Sequence, residues 1–470
     1  MANVNIIIDG KALSVPSGST ILAAARENGI HIPTLCFLKE LDPRASCRMC
    51  VVEVEGSRTF QHACAAKVRE GMVVHTDTEA VRASRKLTLQ LLLSNHAVDC
   101  HHCLRIGSSR CDDLDPKFCE MCFFCDCVKD GFCDLQALAR EYKVDVLPFE
   151  QKHNTLPIDT SSVIVRNPNK CIKCRRCVDV CGKVQTVHNL AASGRGCEVT
   201  IGPAFGKPMA ESDCVGCGRC VEVCPTGAIF ALEHKDELVY YAHRDGVKTA
   251  AMISADLIPE LERVLHRESG SVTLPEIAGA LKKIGVDAVF AAAEAEDAAR
   301  AEAEALLDEK LKAGKPVILT DSFAAEAFLE QNFPEKQDSF LFYDSALAVF
   351  GKAAEGFDKR FAFGPLGGDA MECDKTHCVD LAVNPRELAR IMIRTGSEPN
   401  PGRTAACESL GLPEASGKYG KLLAKAAWNM DKEPELFEQD GLKCAVCHNL
   451  GQARRVLGSE ERFDVVRVMA

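Results

Sequence analysis

Twenty-one of the chain's 26 cysteines fall between Cys36 and Cys224, none falls between residues 225 and 372, and five follow from Cys373 onward. The densest part, the irregular stretch from Ser94 up to Cys133, cannot form an ordinary core, and unbound thiols at that density invite oxidation. Disulfides are the poorer explanation. The N-terminus lacks the basic-then-apolar build of a secretory signal, so a reducing cytoplasmic setting is expected, and there clustered cysteines bind metal. The 470 residues exceed what one hydrophobic core serves, which predicts three or four domains. A formal net charge of −11 disfavours nucleic acid as a partner, because phosphate binding needs a basic footprint. No apolar run reaches the roughly 18 residues of a membrane-spanning helix, so no membrane partner is expected.

The sharpest pattern is a doubled one. Cys171, Cys174, Cys177 and Cys181 form C-x2-C-x2-C-x3-C, and Cys214, Cys217, Cys220 and Cys224 repeat it, with Pro225 after the second run. In such pairs the first three thiols of each run bind one 4Fe-4S cluster and the fourth crosses to the other. The rule assigns Cys171, Cys174, Cys177 and Cys224 to one cluster and Cys214, Cys217, Cys220 and Cys181 to the other, in a bacterial 2x(4Fe-4S) ferredoxin domain over residues 161–235. The first run lacks the following proline. Zinc is the competing occupant, disfavoured by the eightfold match of spacing.

Cys36, Cys47, Cys50 and Cys64 stand as C-x10-C-x2-C-x13-C, three thiols on one loop and a distant fourth. Around them, Val4 to Ile8 predicts a strand, Gly10 a turn, and Ser19 the cap of a helix from Ile21 to Glu27. This β-rich module over residues 1–80 resembles the plant-type ferredoxin β-grasp, which implies a 2Fe-2S cluster on those thiols. A structural zinc site usually presents two C-x2-C knuckles instead.

Between the two modules, over residues 81–160, a helical stripe from Thr78 to Ser94 with Val81, Leu87, Leu89 and Leu91 to Leu93 leads into His96, Cys100 and Cys103, spaced H-x3-C-x2-C, and into GFCDLQALAR at Gly131 to Arg140. These motifs resemble the His/Cys-ligated 4Fe-4S segment shared by the largest iron-sulfur subunit of complex I and by iron-iron hydrogenases. The resemblance implies His96, Cys100, Cys103 and Cys133 as ligands, with the imidazole reducing negative charge and raising the potential. The chain departs from that family by an insertion, residues 104–132, carrying Cys111, Cys119, Cys122, Cys125 and Cys127. Four of these are expected to hold an extra cluster or a zinc ion, with Cys119, Cys122 and Cys125 the leading members. Spacing also leaves open a swap in which Cys127, separated from Cys133 by five residues, replaces Cys100 or Cys103.

From residue 236 helical and strand-like patterns alternate, as in Leu257 to Leu265, Val286 to Ala291, Glu294 to Leu311 and Pro316 to Thr320, which predicts an α/β domain through residue 470. The Ala/Glu-rich segment from Ala291 to Glu309 reads as a solvated helix and Glu398 to Gly417 as a surface loop. IGVDAVF at Ile284 to Phe290, PVILTDSF at Pro316 to Phe323, NPRELARIMIRTG at Asn384 to Gly396 and RFDVVRVMA at Arg462 to Ala470 resemble the catalytic domain of iron-iron hydrogenases. The resemblance is to a degenerate form. Where that family places cluster-anchoring thiols, Asp321 and Ser322 occupy the first turn, the second motif has no match, and the last thiol would follow Ala470. No hydrogen production is therefore expected of this chain. Cys373 with Cys378 (C-x4-C) and Cys444 with Cys447 (C-x2-C) are expected to meet as four ligands for a further cluster, with zinc and unbound thiols as alternatives. Cys197 and Cys407 stand alone and read as small apolar residues.

No dinucleotide-binding glycine motif, Walker motif or nucleophile elbow is present, and FGPLGG at Phe363 to Gly368 is too weak to name a nucleotide site. The expected fold class is α+β multidomain, carrying one 2Fe-2S cluster and at least three 4Fe-4S clusters. Such centres move single electrons, so hydride exchange needs a converter elsewhere. The resemblance supplies the partners: an FMN-containing NAD(P)H-oxidising subunit, a small 2Fe-2S subunit, and ferredoxin in an anaerobic, electron-bifurcating complex. Two other classes of function stay open on the residues alone: a C-terminal domain that is itself a catalyst on a variant metal site, and one that is a redox sensor or docking scaffold.

Overall fold

The computed structural model describes residues 2–97, 127–129, 133–150, 156–364, 367–425, 428–431 and 433–470. Strands β1 (Asn3–Ile8) and β2 (Lys11–Pro16) form a hairpin whose two-residue turn, Asp9 and Gly10, has φ of 48° and 80°. Both values are positive, the form that matches the twist of paired strands, and Asp-Gly tolerates it. With β3 (Val51–Val54), β4 (Gln61–His62) and β5 (Val73–His75) the hairpin makes a sheet of order β2-β1-β5-β3-β4. Ile6, Ile8, Leu13 and Val15 point inward at every second position against the helix Ile21–Glu27. The cap of that helix is Thr20, whose hydroxyl accepts from the Ala23 amide at 3.1 Å, and not Ser19 as expected.

The helix Glu79–Ser94 buries Val81, Arg85, Leu89 and Leu93, one per turn, and leaves Leu87 and Leu91 exposed, so the apolar stripe is narrower than the sequence suggests. Its buried Arg85 ties the sheet to the helix Asp134–Glu141 by donating to the Val51 carbonyl at 2.7 Å and to the hydroxyl of Tyr142, which follows that helix, at 2.8 Å. Two short antiparallel pairs follow, β6 (Ile164–Arg166) with β9 (Ile229–Ala231) and β7 (Leu190–Ser193) with β8 (Thr200–Pro203).

The C-terminal region holds two sheets. One, of order β11-β10-β14-β15, is wholly parallel, from β10 (Thr249–Ile253), β11 (Ala288–Ala291), β14 (Lys359–Phe363) and β15 (Leu381–Val383). The other, of order β13-β12-β18-β17-β16, combines β12 (Val317–Thr320), β13 (Phe340–Phe342), β16 (Glu435–Gln439), β17 (Leu442–Cys447) and β18 (Val465–Val468), parallel except for the β16–β17 hairpin. Every residue of β10, β12 and β18 is buried, as strands covered on both faces require. Among the described residues no helix is long and apolar enough to cross a membrane.

The Ala/Glu-rich segment is a 21-residue helix, Ala292–Lys312, and the expectation of a merely solvated helix needs correction. Ala292 and Ala295 enter the core beside the first sheet, while Ala303 and Leu307 enter the core beside the second. Alanine serves here because it lets the backbone lie close to both. Two of its carboxylates also fasten the 398–417 loop. Glu294 accepts from the Leu410 and Leu412 amides at 2.8 and 3.1 Å, and Glu304 from the Ser416 amide and hydroxyl at 2.8 and 2.7 Å. Burial opposes the charge on Glu304, but the Ser416 hydroxyl and the amides of Ser416, Gly417 and Tyr419 outweigh it and hold the carboxyl below its usual range. A depressed carboxyl stabilises the fold above its unfolded-state pKa, and that contribution is lost as pH falls through the folded-state value. Glu304→Ala is therefore expected to cost about 1.5–3 kcal/mol at neutral pH. The difference from the parent should shrink under acid in thermal unfolding, and tryptic cleavage after Lys418 should quicken. Equal cleavage rates in both proteins would refute the clip.

Candidate metal centres

Cys36, Cys47, Cys50 and Cys64 are all at most 9% exposed. The first three ride the loop that leads from the Ile21–Glu27 helix to β3, where Ala45 and Arg48 adopt left-handed φ of 51° and 56° and curl the chain around a common point. Cys64 comes back from just beyond β4, its sulfur 3.3 Å from that of Cys50. The Cys47 thiol donates to the Cys36 sulfur and, against burial and with help from Ser46, holds Cys36 down at about 5. Cys50 is lowered by Cys64 in the same way, while Cys47 and Cys64 are pushed up by their partners and by burial. Cys64 also feels the charges of Cys36 and Cys47, so the two pairs share one pocket. Four buried thiols this close cannot all ionise unaided, and a cationic metal group removes the conflict.

The doubled motif builds two further centres by one local device. Lys173 and Arg175 have φ of 57° and 64°, and Gly216 and Gly218, two and four residues after the first cysteine of the second run as well, have 79° and 71°. Each left-handed pair wraps the loop and starts a one-turn helix, Arg176–Asp179 or Arg219–Glu222, that carries the third thiol. The fourth thiols cross. Cys224 faces Cys171, Cys174 and Cys177, and Cys181 faces Cys214, Cys217 and Cys220. The first set lines a small, mostly apolar cavity with Ile172, Ile201, Pro225 and Ile229. Burial raises Cys171 to about 11 and Cys174 to about 12, and Cys214 likewise to about 12. Metal loading must therefore displace protons from these thiols. Cys177 and Cys220 feel one another across the boundary, so the two centres adjoin. All-sulfur donors, four per site and shielded from water, suit cysteine-ligated iron-sulfur groups.

Of the His/Cys segment, His96, Cys127 and Cys133 are described, and all are buried; Cys100, Cys103, Cys111, Cys119, Cys122 and Cys125 lie outside the described residues. The Ala97 amide donates to the Asn169 carbonyl at 2.8 Å and the Asp134 amide to the Pro225 carbonyl at 2.9 Å. His96 and Cys133 are thereby tethered to the two ends of the Cys171/Cys224 centre. Cys127 lies beside Gly227, its sulfur 3.4 Å from where a Cβ there would stand, and Arg386 donates to the Cys127 carbonyl at 2.6 Å.

The four C-terminal thiols do not assemble as expected. Cys444 and Cys447 are three residues apart on β17, which sends them to opposite faces. Cys444 enters the core with Leu341 and Val465, and Cys447 the core with Phe328 and Leu450. Cys373 lies in a third core with Phe350 and Val379, hydrogen-bonded to Cys378. The two pairs therefore belong to different places, and a C-x2-C spacing on a buried strand is no knuckle. Cys407 packs partly buried on the core of the first sheet.

Spacing gave no sign of Arg44 and Asp179. Arg44, in the Cys36–Cys47 loop, forks onto the buried Asp179 with Nε to Oδ2 at 2.6 Å and Nη2 to Oδ1 at 2.5 Å. Asp179 stands two residues after Cys177, so this ion pair locks the first centre to the second. Lys183 adds a second cation at 3.5 Å.

A family model for a 2Fe-2S iron-sulfur cluster binding domain matches residues 1–79, and one for a 4Fe-4S binding domain matches residues 210–230. The chain is 32% identical to the NADP-reducing hydrogenase subunit HndD of Solidesulfovibrio fructosivorans over 543 aligned positions, covering 100% of this chain and 87% of that one. It is 31% identical to the mitochondrial NADH-ubiquinone oxidoreductase 78 kDa subunit of Candida albicans over 43% of this chain and 25% of that protein. Among solved structures, an NAD+-reducing nickel-iron hydrogenase matches 48% of this chain and 87% of that chain at 26% identity, with a TM-score of 0.41. A relative as similar as the hydrogenase subunit, along nearly its whole length, settles kinship: the chain belongs to the hydrogenase-like family of iron-sulfur subunits that includes the complex I iron-sulfur subunit.

Proposed function

We propose that the chain is an electron-wire subunit of a cytoplasmic, NAD(P)H-linked and ferredoxin-linked oxidoreductase complex that bifurcates electrons at a flavin in a partner chain. Its centres are a 2Fe-2S site on Cys36, Cys47, Cys50 and Cys64, two 4Fe-4S sites on the crossed sets of the doubled motif, and a His/Cys site that includes His96 and Cys133. When bound, such clusters supply one-electron carriers. Residues 1–80, 81–160, 161–235 and 236–470 are read as the four domains. The FMN-containing subunit, the small 2Fe-2S subunit and ferredoxin are the partners of this reading, and hydride chemistry is theirs.

One observation carries the proposal. Cys36, Cys47, Cys133 and Cys174, drawn from three different centres, line a single apolar core with Met49, Leu89 and Leu135. The cysteines of both doubled-motif sets line the next core, and Cys217 packs on a core of the C-terminal region. Contiguous dry packing from centre to centre is what a relay of single electrons asks of a protein, since it keeps the carriers close and their surroundings fixed.

Substitution tests the crossed partition. Cys174→Ser and Cys224→Ser should each abolish the same paramagnetic signal of the reduced, anaerobically prepared chain, while Cys181→Ser and Cys217→Ser should abolish a different one. Signals that instead group by run, or zinc in place of iron at these sites, contradict the proposal. The Arg44–Asp179 pair generates a second expectation. Arg44→Gln removes a cation beside Cys36, which disfavours an added electron, so the 2Fe-2S midpoint potential should fall, with Arg44→Lys restoring most of it. The same change should cost about 1.5–3 kcal/mol by leaving Asp179 less well paired. An unmoved potential would show that Arg44 serves structure alone.

A further inference from the structure

Cys373 and Cys378 are left without a role once the four-thiol site is set aside, yet their geometry is that of a working pair. The helix Gly367–Thr376 ends in a turn at His377, whose φ is 53° and whose amide donates to the Cys373 carbonyl at 3.0 Å. That reversal folds Cys378 back onto Cys373, and the Cys373 thiol hydrogen-bonds the Cys378 sulfur. The turn is held from both sides. A Cβ on Gly351 would stand 2.1 Å from the Cys378 carbonyl oxygen, so the helix Ala346–Ala353 lies directly against it. Beyond it, Asp380 accepts from Lys359 at 2.8 Å and from the Arg360 amide at 2.9 Å.

The two thiols are unequal. Cys373 is 6% exposed, and Cys378 is partly open to solvent. We propose that Cys373 and Cys378 form a thiol–disulfide exchange site whose substrates are disulfides, with Cys378 the attacking sulfur and Cys373 the resolving one. The acidity of the pair agrees with that division. The hydrogen bond from Cys373 chiefly, with Thr376 and the Val379 amide, holds Cys378 down at about 6 against burial, while Cys373 is pushed up. A thiolate at neutral pH is thus available at the exposed position. Next to it Glu372, raised to about 8 mainly by burial, stays protonated and keeps a second negative charge away from the attacking sulfur.

The step balances. Cys378 sulfur attacks one sulfur of R–S–S–R, forming a mixed disulfide and releasing RS−. Cys373 then attacks the Cys378 sulfur, a second RS− leaves, and the protons of the two cysteines end on the departing thiols. The dithiol loses two electrons and the substrate disulfide gains them; a small dithiol run in the reverse direction restores the pair. The site does not depend on the electron-wire reading, because neither thiol belongs to a cluster set.

The test uses the full chain, prepared anaerobically with its iron in place and equilibrated over ratios of reduced to oxidised dithiothreitol before alkylation and peptide mass mapping. One two-electron transition linking Cys373 to Cys378 is expected, with iron per chain constant throughout. Challenged with oxidised glutathione, Cys373→Ser should accumulate a stable adduct at Cys378, whereas in Cys378→Ser the adduct at Cys373 should form roughly tenfold or more slowly. Two free thiols at every ratio, a metal that blocks alkylation of the pair, or equal reactivity in the two variants would overturn the inference. Absence of iron from the parent chain would instead count against the electron-wire reading and leave this one standing.

Discussion

Gathering thiols is a backbone problem before it is a metal problem. Four short side chains must reach one point while every amide around them stays paired or shielded, and ordinary right-handed turns cannot bend a C-x2-C-x2-C run that tightly. Left-handed residues at 173, 175, 216 and 218 do it, and those at 45 and 48 do it for the Cys36 loop. Glycine takes this conformation at little cost, whereas Lys173 and Arg175 are held in it against their preference. The surrounding packing must supply that energy, which explains why these small modules lean on their neighbours' cores.

That dependence gives the molecule its connectivity. The Cys36 module, the helix Asp134–Glu141 and the first half of the doubled motif share one apolar core, and the Arg44–Asp179 fork pins two of them at a fixed distance. Both runs of the doubled motif are fastened to the C-terminal region by different means. Arg219, beside Cys220, stacks on Trp428 at 4.5 Å, and the buried Gln185 accepts from the Leu450 amide at 3.0 Å. Gly451 admits the Val184 carbonyl, which a Cβ would meet at 2.2 Å. Each junction is a close polar or backbone contact set in apolar surroundings, so it is specific as well as tight.

Periodic features of this fold were open to reading from the residues, and features that depend on the partner surface were not. The crossed grouping of Cys171–Cys177 with Cys224 follows from spacing alone, because the spacing is itself the geometry. The apolar run Val317 to Leu319 in β12 announces a strand covered on both faces. Ala292–Lys312 misled because alanine is silent: a small residue looks solvated until one sees which two cores approach it. Cys444 and Cys447 misled for the opposite reason. Their C-x2-C spacing suggests a metal knuckle, but LKCAVC is an apolar strand, and period-two alternation separates positions three apart. Arg44 could not be found from sequence at all, since its partner lies 135 residues away.

The C-terminal region keeps its two sheets and its cores even though its four paired cysteines do not converge on one site. This is possible because the cores are built from Phe328, Phe350, Phe361 and Phe363 and their aliphatic neighbours, with Cys444 and Cys447 serving as small apolar residues among them. Val215 and Cys217, from the loop of the last thiol set, are packed against one of those same cores. Removing the region would therefore open that thiol set to water, and the acidity of its cysteines, raised chiefly by burial, would change with it. A region whose cysteines converge on no single site can still matter for what it covers, because the dielectric around a buried charge centre is fixed by whatever lies against it.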